Sequence, residues 1–190
     1  KEPARRLGVL EDAGRLSVPF TSGLLLGIGE TLVERVDTLF ALREVHRRYG
    51  HLQEVIVQNF RAKPDTAMRD HPEPSLEELL ATIATARIVL GPTVHLQAPP
   101  NLSPGVFGRL LRAGIDDFGG VSPVTVDHVN PEAPWPQLEE LERRSAEEGF
   151  VLTQRLPVYP EQVTMPDPWL AGRMRGPVAA LADAWGLARD

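Results

Sequence analysis

The arrangement Gly23-x-Leu25-x-Gly27-x-x-Glu30 is the most specific local pattern in the chain. A phosphate loop needs Lys and Ser/Thr after its last glycine, and a dinucleotide fingerprint needs G-x-G-x-x-G opening a helix. The run Thr21–Thr31, TSGLLLGIGET, offers neither and puts a carboxylate where a phosphate would sit. Its glycines would let a ligand approach the strand backbone, and Leu25 can meet a flat apolar ring. Glu30 opens the next helix, whose dipole stabilises a carboxylate. The plainer reading of the same letters is a strand followed by a tight turn.

Further polar residues fall near the ends of apolar runs. In QNFRAKP, Asn59 can hydrogen-bond a nucleobase edge, and Arg61 or Lys63 can hold a carboxylate; a loop with solvated bases fits equally well. In TVHLQAPPNLSP, Val94 and Leu96 face one side while His95 and Gln97 face the other. A strand buried on both faces carries two polar residues on one face only if something satisfies them, so a polar cavity is implied, with Asn101 nearby. The adjacent carboxylates Asp116 and Asp117 point to opposite faces of a strand and are no glycosidase-like acid/base pair. Asp127 reads as a structural Asx-turn. Ser22, Ser103 and Ser122 lack a nucleophile signature, no metal-ligand spacing is present, and no catalytic residue stands out.

The elements that must position these residues alternate. A helix covers 1–13, a buried strand 16–27, a helix 31–49 stopped by Gly50, and a second strand 52–60. Ser75 and Glu78 form a capping box for a helix ending before Gly91. A third strand follows at 93–98. Ser103 and Pro104 supply an N-cap and N1 proline for a helix over 105–113, then a fourth strand covers 115–118. Strands alternating with helices imply a parallel sheet, as an open doubly wound fold or part of a barrel. Asn59, His95, Gln97, Asp116 and Asp117 are expected toward the C-terminal strand ends, where both folds bind ligands. From Val121 the proline-rich run SPVTVDHVNPEAPWP must be an extended loop. It leads to a charged helix over 137–148, an extended segment over 150–158 and a last helix over 177–184.

The net charge of -6 gives no general attraction to nucleic acid or anionic lipid, so small or zwitterionic ligands are the expected partners. No apolar run approaches a membrane span, and the expected location is cytoplasmic. With no cysteine, the chain holds no disulfide, thiolate metal site or cysteine-ligated iron–sulfur cluster. It opens without Met inside a helical pattern, as a fragment of a longer protein would.

Together the runs VPFTSGLLLGIGET, HLQEVIVQNFRAKP, PPNLSP and AGIDDFGGVSPVTVDHVNPEAPWP resemble one family, the radical S-adenosylmethionine (SAM) enzyme 7,8-didemethyl-8-hydroxy-5-deazariboflavin (FO) synthase. The last run separates it from the partner enzyme that attaches tyrosine to the pyrimidine. RLPVYPE and GLARD are similar to the end of that domain in the fused actinobacterial form. The resemblance implies an α/β fold: the C-terminal half, about strands five to eight, of a radical SAM (β/α)8 TIM-type barrel, plus a C-terminal extension. The partial barrel would cover residues 1–120 and the extension 121–190.

It implies a [4Fe–4S] cluster on a CxxxCxxC loop outside this chain, which cleaves SAM to a 5′-deoxyadenosyl radical. The radical starts cyclisation of the tyrosine–diaminouracil adduct to FO with loss of ammonia. Without cysteines the chain alone should be inactive, and its partners would be the missing N-terminal half and a fused or separate adduct-making enzyme. Gly23, Leu25, Gly27 and Glu30 match the family's fifth-strand motif, whose apolar position packs on adenine, and Asn59 matches a sixth-strand position near the adenosine. His95, Gln97, Asn101, Asp117 and Ser122 are the substrate candidates. Asp65, Phe118 and Val126 depart from the usual pattern. The alternative is a non-catalytic half-barrel that binds an adenosine-like ligand or another chain; a cluster-free barrel enzyme is a weaker third.

Overall fold

The computed structural model describes residues 2–122 and 124–189. Its elements run α1 (Pro3–Arg15), β1 (Phe20–Leu26), α2 (Leu32–Tyr49), β2 (Leu52–Asn59), α3 (Leu76–Leu90), β3 (His95–Gln97), a short 3-10 turn (Pro100–Leu102), α4 (Phe107–Ala113), α5 (Leu138–Glu147), α6 (Pro160–Thr164) and α7 (Gly172–Leu181). The three strands form one sheet in the order β1-β2-β3. The pair β2–β3 is parallel, with Glu54 opposite His95 and Ile56 opposite Gln97. The expected α/β alternation with a parallel sheet is therefore present. The segment expected as a fourth strand forms no named strand among the described residues; it meets β3 through a parallel bridge between Gln97 and Asp117.

The chain divides into two compact units. The larger, Thr21–Arg43 with Glu54–Val151, contains most of the sheet. Val55, Val57 and Leu96 face its core with Leu26, Leu39, Ile83 and Leu110, all buried. Strand alternation sends Thr21, Glu54, His95 and Gln97 to the opposite face, where Thr21 Oγ1 donates to Glu54 at 2.8 Å. That face is largely polar, and Leu25, 40% exposed, is its bare apolar member at the end of β1. The smaller unit, Lys1–Phe20, Glu44–Gln53 and Leu152–Asp190, packs Leu10, Ala13, Val45, Leu52 and Tyr159. The Arg155 guanidinium stacks 4.0 Å over the Tyr159 ring.

Local signals explain where elements begin and end. Ser75 and Glu78 make the expected reciprocal capping box at the start of α3. Several boundaries differ from expectation, three of them for clear local reasons. Residues 16–19 turn rather than extend, with Ser17 at φ 54, so β1 starts at Phe20. Gly105 at φ 75 cannot continue a helix, so α4 starts at Phe107 behind Val106, and Ser103 does not cap it. The last helix begins at Gly172, five residues before Pro177, which lies inside it.

Candidate functional site at the strand ends

The C-terminal ends of β1 and β2 and the loops after β3 gather most of the residues singled out by sequence. After β1 the chain turns through Gly27 and Gly29, both at positive φ (90 and 104). Glu30 closes this turn on itself: its Oε1 accepts from the Gly27 N–H and its Oε2 from the Ile28 N–H, each at 2.8 Å. Arg35 in α2 donates Nε to Glu30 Oε1 at 2.7 Å. Burial works to raise the Glu30 carboxyl, but the amides of Gly27, Glu30 and Ile28 and the Arg35 guanidinium outweigh it and hold it below its usual value.

The fold itself demands two of the glycines. A Cβ at Gly23 would lie 2.1 Å from the Ile56 carbonyl oxygen, and one at Gly27 2.6 Å from Pro74. Gly23 thus lets β1 approach β2, whatever else approaches it.

At the end of β2, Asn59 Nδ2 donates to the Leu102 carbonyl at 3.1 Å, and Arg61 Nη2 donates to the same oxygen. Arg61 also pairs with Glu73, and Lys63 with Glu132. The PPNLSP loop is thereby fixed to β2. Asn101, 3% exposed, donates Nδ2 to Asp127 Oδ2 at 2.9 Å and to the Ala133 carbonyl at 3.2 Å. Both partners are acceptors, which fixes the amide's orientation. Its carbonyl Oδ1 is buried with no partner among the described residues.

Asp127 forms the expected Asx-turn, accepting from the Val129 N–H at 2.8 Å, and also accepts from Asn130 Nδ2 at 3.0 Å. Burial opposes ionisation, but the donors Asn130, Val129 and Asn101 outweigh it and lower the carboxyl to about 2. Ser122 Oγ accepts from the Thr125 N–H and hydroxyl, at 3.1 and 2.7 Å, and so shapes the start of this loop.

Gln97 is 9% exposed, and Gly119, at φ 76, lies so near that a Cβ there would overlap the Gln97 amide. Asp117 Oδ1 accepts from the Gly119 N–H.

His95 departs from the expected placement. It is the first residue of β3, at the N-terminal end of the strand, because the extended stretch is only three residues long. There its Nδ1 lies 2.8 Å from Asp116 Oδ2, and Asp116 Oδ1 accepts from the Leu96 N–H at 2.6 Å and from Arg87 at 3.0 Å. Burial would raise the Asp116 carboxyl; His95, the Leu96 amide and Arg87 outweigh it and lower it. The strand ends therefore bring together Leu25, Gly27, Glu30, Asn59, Gln97, Asn101 and Asp117, whereas His95 joins a network at the start of its strand. Sequence reading missed Arg35 and Arg87, whose only signal was an arginine inside an otherwise amphipathic helix.

The arrangement suits a neutral, flat, hydrogen-bonding ligand. Leu25 offers a bare apolar surface at the end of β1, whereas Glu30 already takes the two turn amides that would bind a phosphate. Among the described residues no group of His, Cys, Asp and Glu could hold a metal ion. No described helix is long and apolar enough to cross a membrane.

No protein-family model matches the chain. An FO synthase of Streptomyces avermitilis is 62% identical over 189 residues, 99% of this chain. The chain is a homologue of FO synthases over its full length. An FO synthase of Mycobacterium tuberculosis is 60% identical over 192 residues, and the 7,8-didemethyl-8-hydroxy-5-deazariboflavin synthase of Methanopyrus kandleri 54% over 189. The chain spans 22% of the length of the first two proteins and 56% of the third. It resembles part of an FO synthase, and the residues after β1 belong to the matched region.

Proposed function

We propose that this chain is the C-terminal half of the radical SAM barrel of an FO synthase, acting in the cytoplasm on the tyrosine–diaminouracil adduct in deazaflavin biosynthesis. The observation that carries this reading is 62% identity to an FO synthase over 99% of the chain. The lyase reaction closes the adduct to FO with loss of ammonia. A [4Fe–4S] cluster and SAM would supply the radical that starts it. This chain does not fit the cluster, since it has no cysteine, and the cluster ligands fall to the missing N-terminal half.

It does fit the adenosyl part of SAM. Leu25 offers its exposed side chain to the adenine ring, Gly27 and Glu30 shape the turn beside it, and Asn59 borders the adenosine. Gln97, Asn101, Asp117 and Ser122 line the side from which substrate enters. Asn101 keeps an unpartnered buried carbonyl oxygen there, suited to an N–H or O–H donor once the loop admits one. His95 acts from the start of β3 by fixing Asp116 and hence the Leu96 amide.

The test joins this chain to a cluster-bearing N-terminal half and reconstitutes the cluster anaerobically. FO should form from the adduct and SAM, and the chain alone should form none. Absence of FO from protein with full cluster content would refute the reading.

A further inference from the structure

Glu30 is held from two sides. On one side the Gly27 and Ile28 amides donate to its two oxygens; on the other, Arg35 donates Nε at 2.7 Å. Arg35 is only 8% exposed despite its charge, and its Nη2 donates to Glu78 Oε1 at 3.4 Å. Glu78 is the residue that completes the capping box of α3 with Ser75. One buried cation thus joins the turn after β1 to the starts of α2 and α3.

A buried guanidinium carries a large desolvation cost, and a buried position on a helix packed against a sheet is ordinarily filled by an aliphatic residue. What an aliphatic residue cannot do is hold Glu30. The turn contains Gly27 and Gly29, whose backbones have many accessible conformations. Two amide hydrogen bonds to a freely rotating carboxylate fix such a turn poorly. A carboxylate that also accepts from Arg35 Nε fixes it well, because the planar guanidinium is itself oriented by its second arm on Glu78 and so holds the Oε1–Oε2 edge toward the amides. Leu25 is the last exposed side chain before this turn, so its presentation depends on the turn's conformation.

We infer that Arg35 is a positioning residue for the adenosyl group: by locking Glu30 onto the Gly27 and Ile28 amides it fixes the turn and holds Leu25 in place for the purine ring. This rests on the SAM-binding reading above. Arg35 touches neither SAM nor substrate; it acts through Glu30.

The test uses the full-length protein with its cluster-bearing half and reads SAM affinity by equilibrium dialysis, alongside kcat and KM. Arg35→Gln should raise the SAM Kd by about tenfold or more, with KM rising in step and kcat at saturating SAM within about twofold. Arg35→Lys, which keeps the charge but not the fork, should recover part of the affinity. Arg47→Gln, on the exposed side of the same helix, should bind as the unmodified protein does. Where Arg35→Gln folds poorly, the paired variant Arg35→Met with Glu30→Gln removes both charges together and must show the same loss. A folded Arg35→Gln or paired variant that binds SAM within about twofold of the unmodified protein overturns the role of Arg35 alone. Failure of the unmodified protein to bind SAM overturns the SAM-binding reading and this inference with it.

Discussion

The Asn101 amide donates to the Asp127 carboxylate at 2.9 Å, tying the loop after β3 to the proline-rich segment beyond the last sheet bridge. Asp127 also takes Asn130 and the Val129 amide, so one exposed-loop carboxylate orders two buried asparagines.

Asp127→Ala should therefore lower the unfolding free energy by on the order of 2 kcal/mol at neutral pH, read by urea titration, because several charge-assisted hydrogen bonds vanish and Asn101 loses a partner. The pH dependence has a definite sign. The Asp127 carboxyl sits at about 2 in the folded chain against 3.8 ordinarily, so its contribution is complete above about pH 4 and fades as the pH falls toward 2. The difference between Asp127→Ala and the unmodified chain should shrink over that window. A gap that stays constant from pH 7 to pH 2.5 contradicts the assignment.

Gly23→Ala should be far more damaging than Gly29→Ala. The new Cβ at position 23 would meet the Ile56 carbonyl oxygen at 2.1 Å, and β1 would have to separate from β2. At Gly29 nothing lies within 4 Å, and only the positive φ opposes the substitution, at about 1–2 kcal/mol. Soluble yield and thermal midpoint report the difference; equal effects would show that β1 does not pair as described.

Arg87 anchors the start of β3. Its guanidinium donates to the carbonyls of Gly114, Gly91 and Val94 at 2.8, 2.9 and 2.7 Å, as well as to Asp116. Arg87→Met would leave these acceptors without their donor, and a loss of about 2–4 kcal/mol is expected. For a chain of this size that corresponds to a melting temperature roughly 5–15 °C lower. Arg87→Lys should restore little of it, since one ammonium cannot span four acceptors.

Much of this was legible in the letters because it is local. The capping box of Ser75 and Glu78 needs only a three-residue spacing, and the α/β alternation needs only the periods of apolar residues. The Asx-turn at Asp127 is likewise a short-range affair. What escaped reading depends on backbone conformation or distant partners. Gly105 at positive φ cancelled a plausible Ser103 cap, and a strand of three residues moved His95 from the expected end of β3 to its start. Arg35 and Arg87 found partners 43 and 29 residues away, and no spacing rule marks such pairs. Gly23 and Gly27 were visible as letters, but their close approach to Ile56 and Pro74 is a property of neighbouring strands and loops.

The edge position of β1 makes a last prediction. The strand pairs with β2 on one side, and among the described residues the sheet order gives it no neighbour on the other, while Leu25 and Ile28 are 40% and 45% exposed nearby. An uncovered strand edge next to bare apolar side chains is a template for pairing with another chain. The chain expressed by itself should therefore self-associate, eluting from size exclusion as dimers or larger species whose proportion rises with concentration. Leu25→Lys should shift it toward monomer, because a charge beside the edge disfavours the approach of an identical charge. Joining the chain to the N-terminal half of an FO synthase should have the same effect by covering the edge. A monodisperse monomer of the isolated chain at high concentration, unfolding in one cooperative step, would mean that this edge is protected by the chain itself.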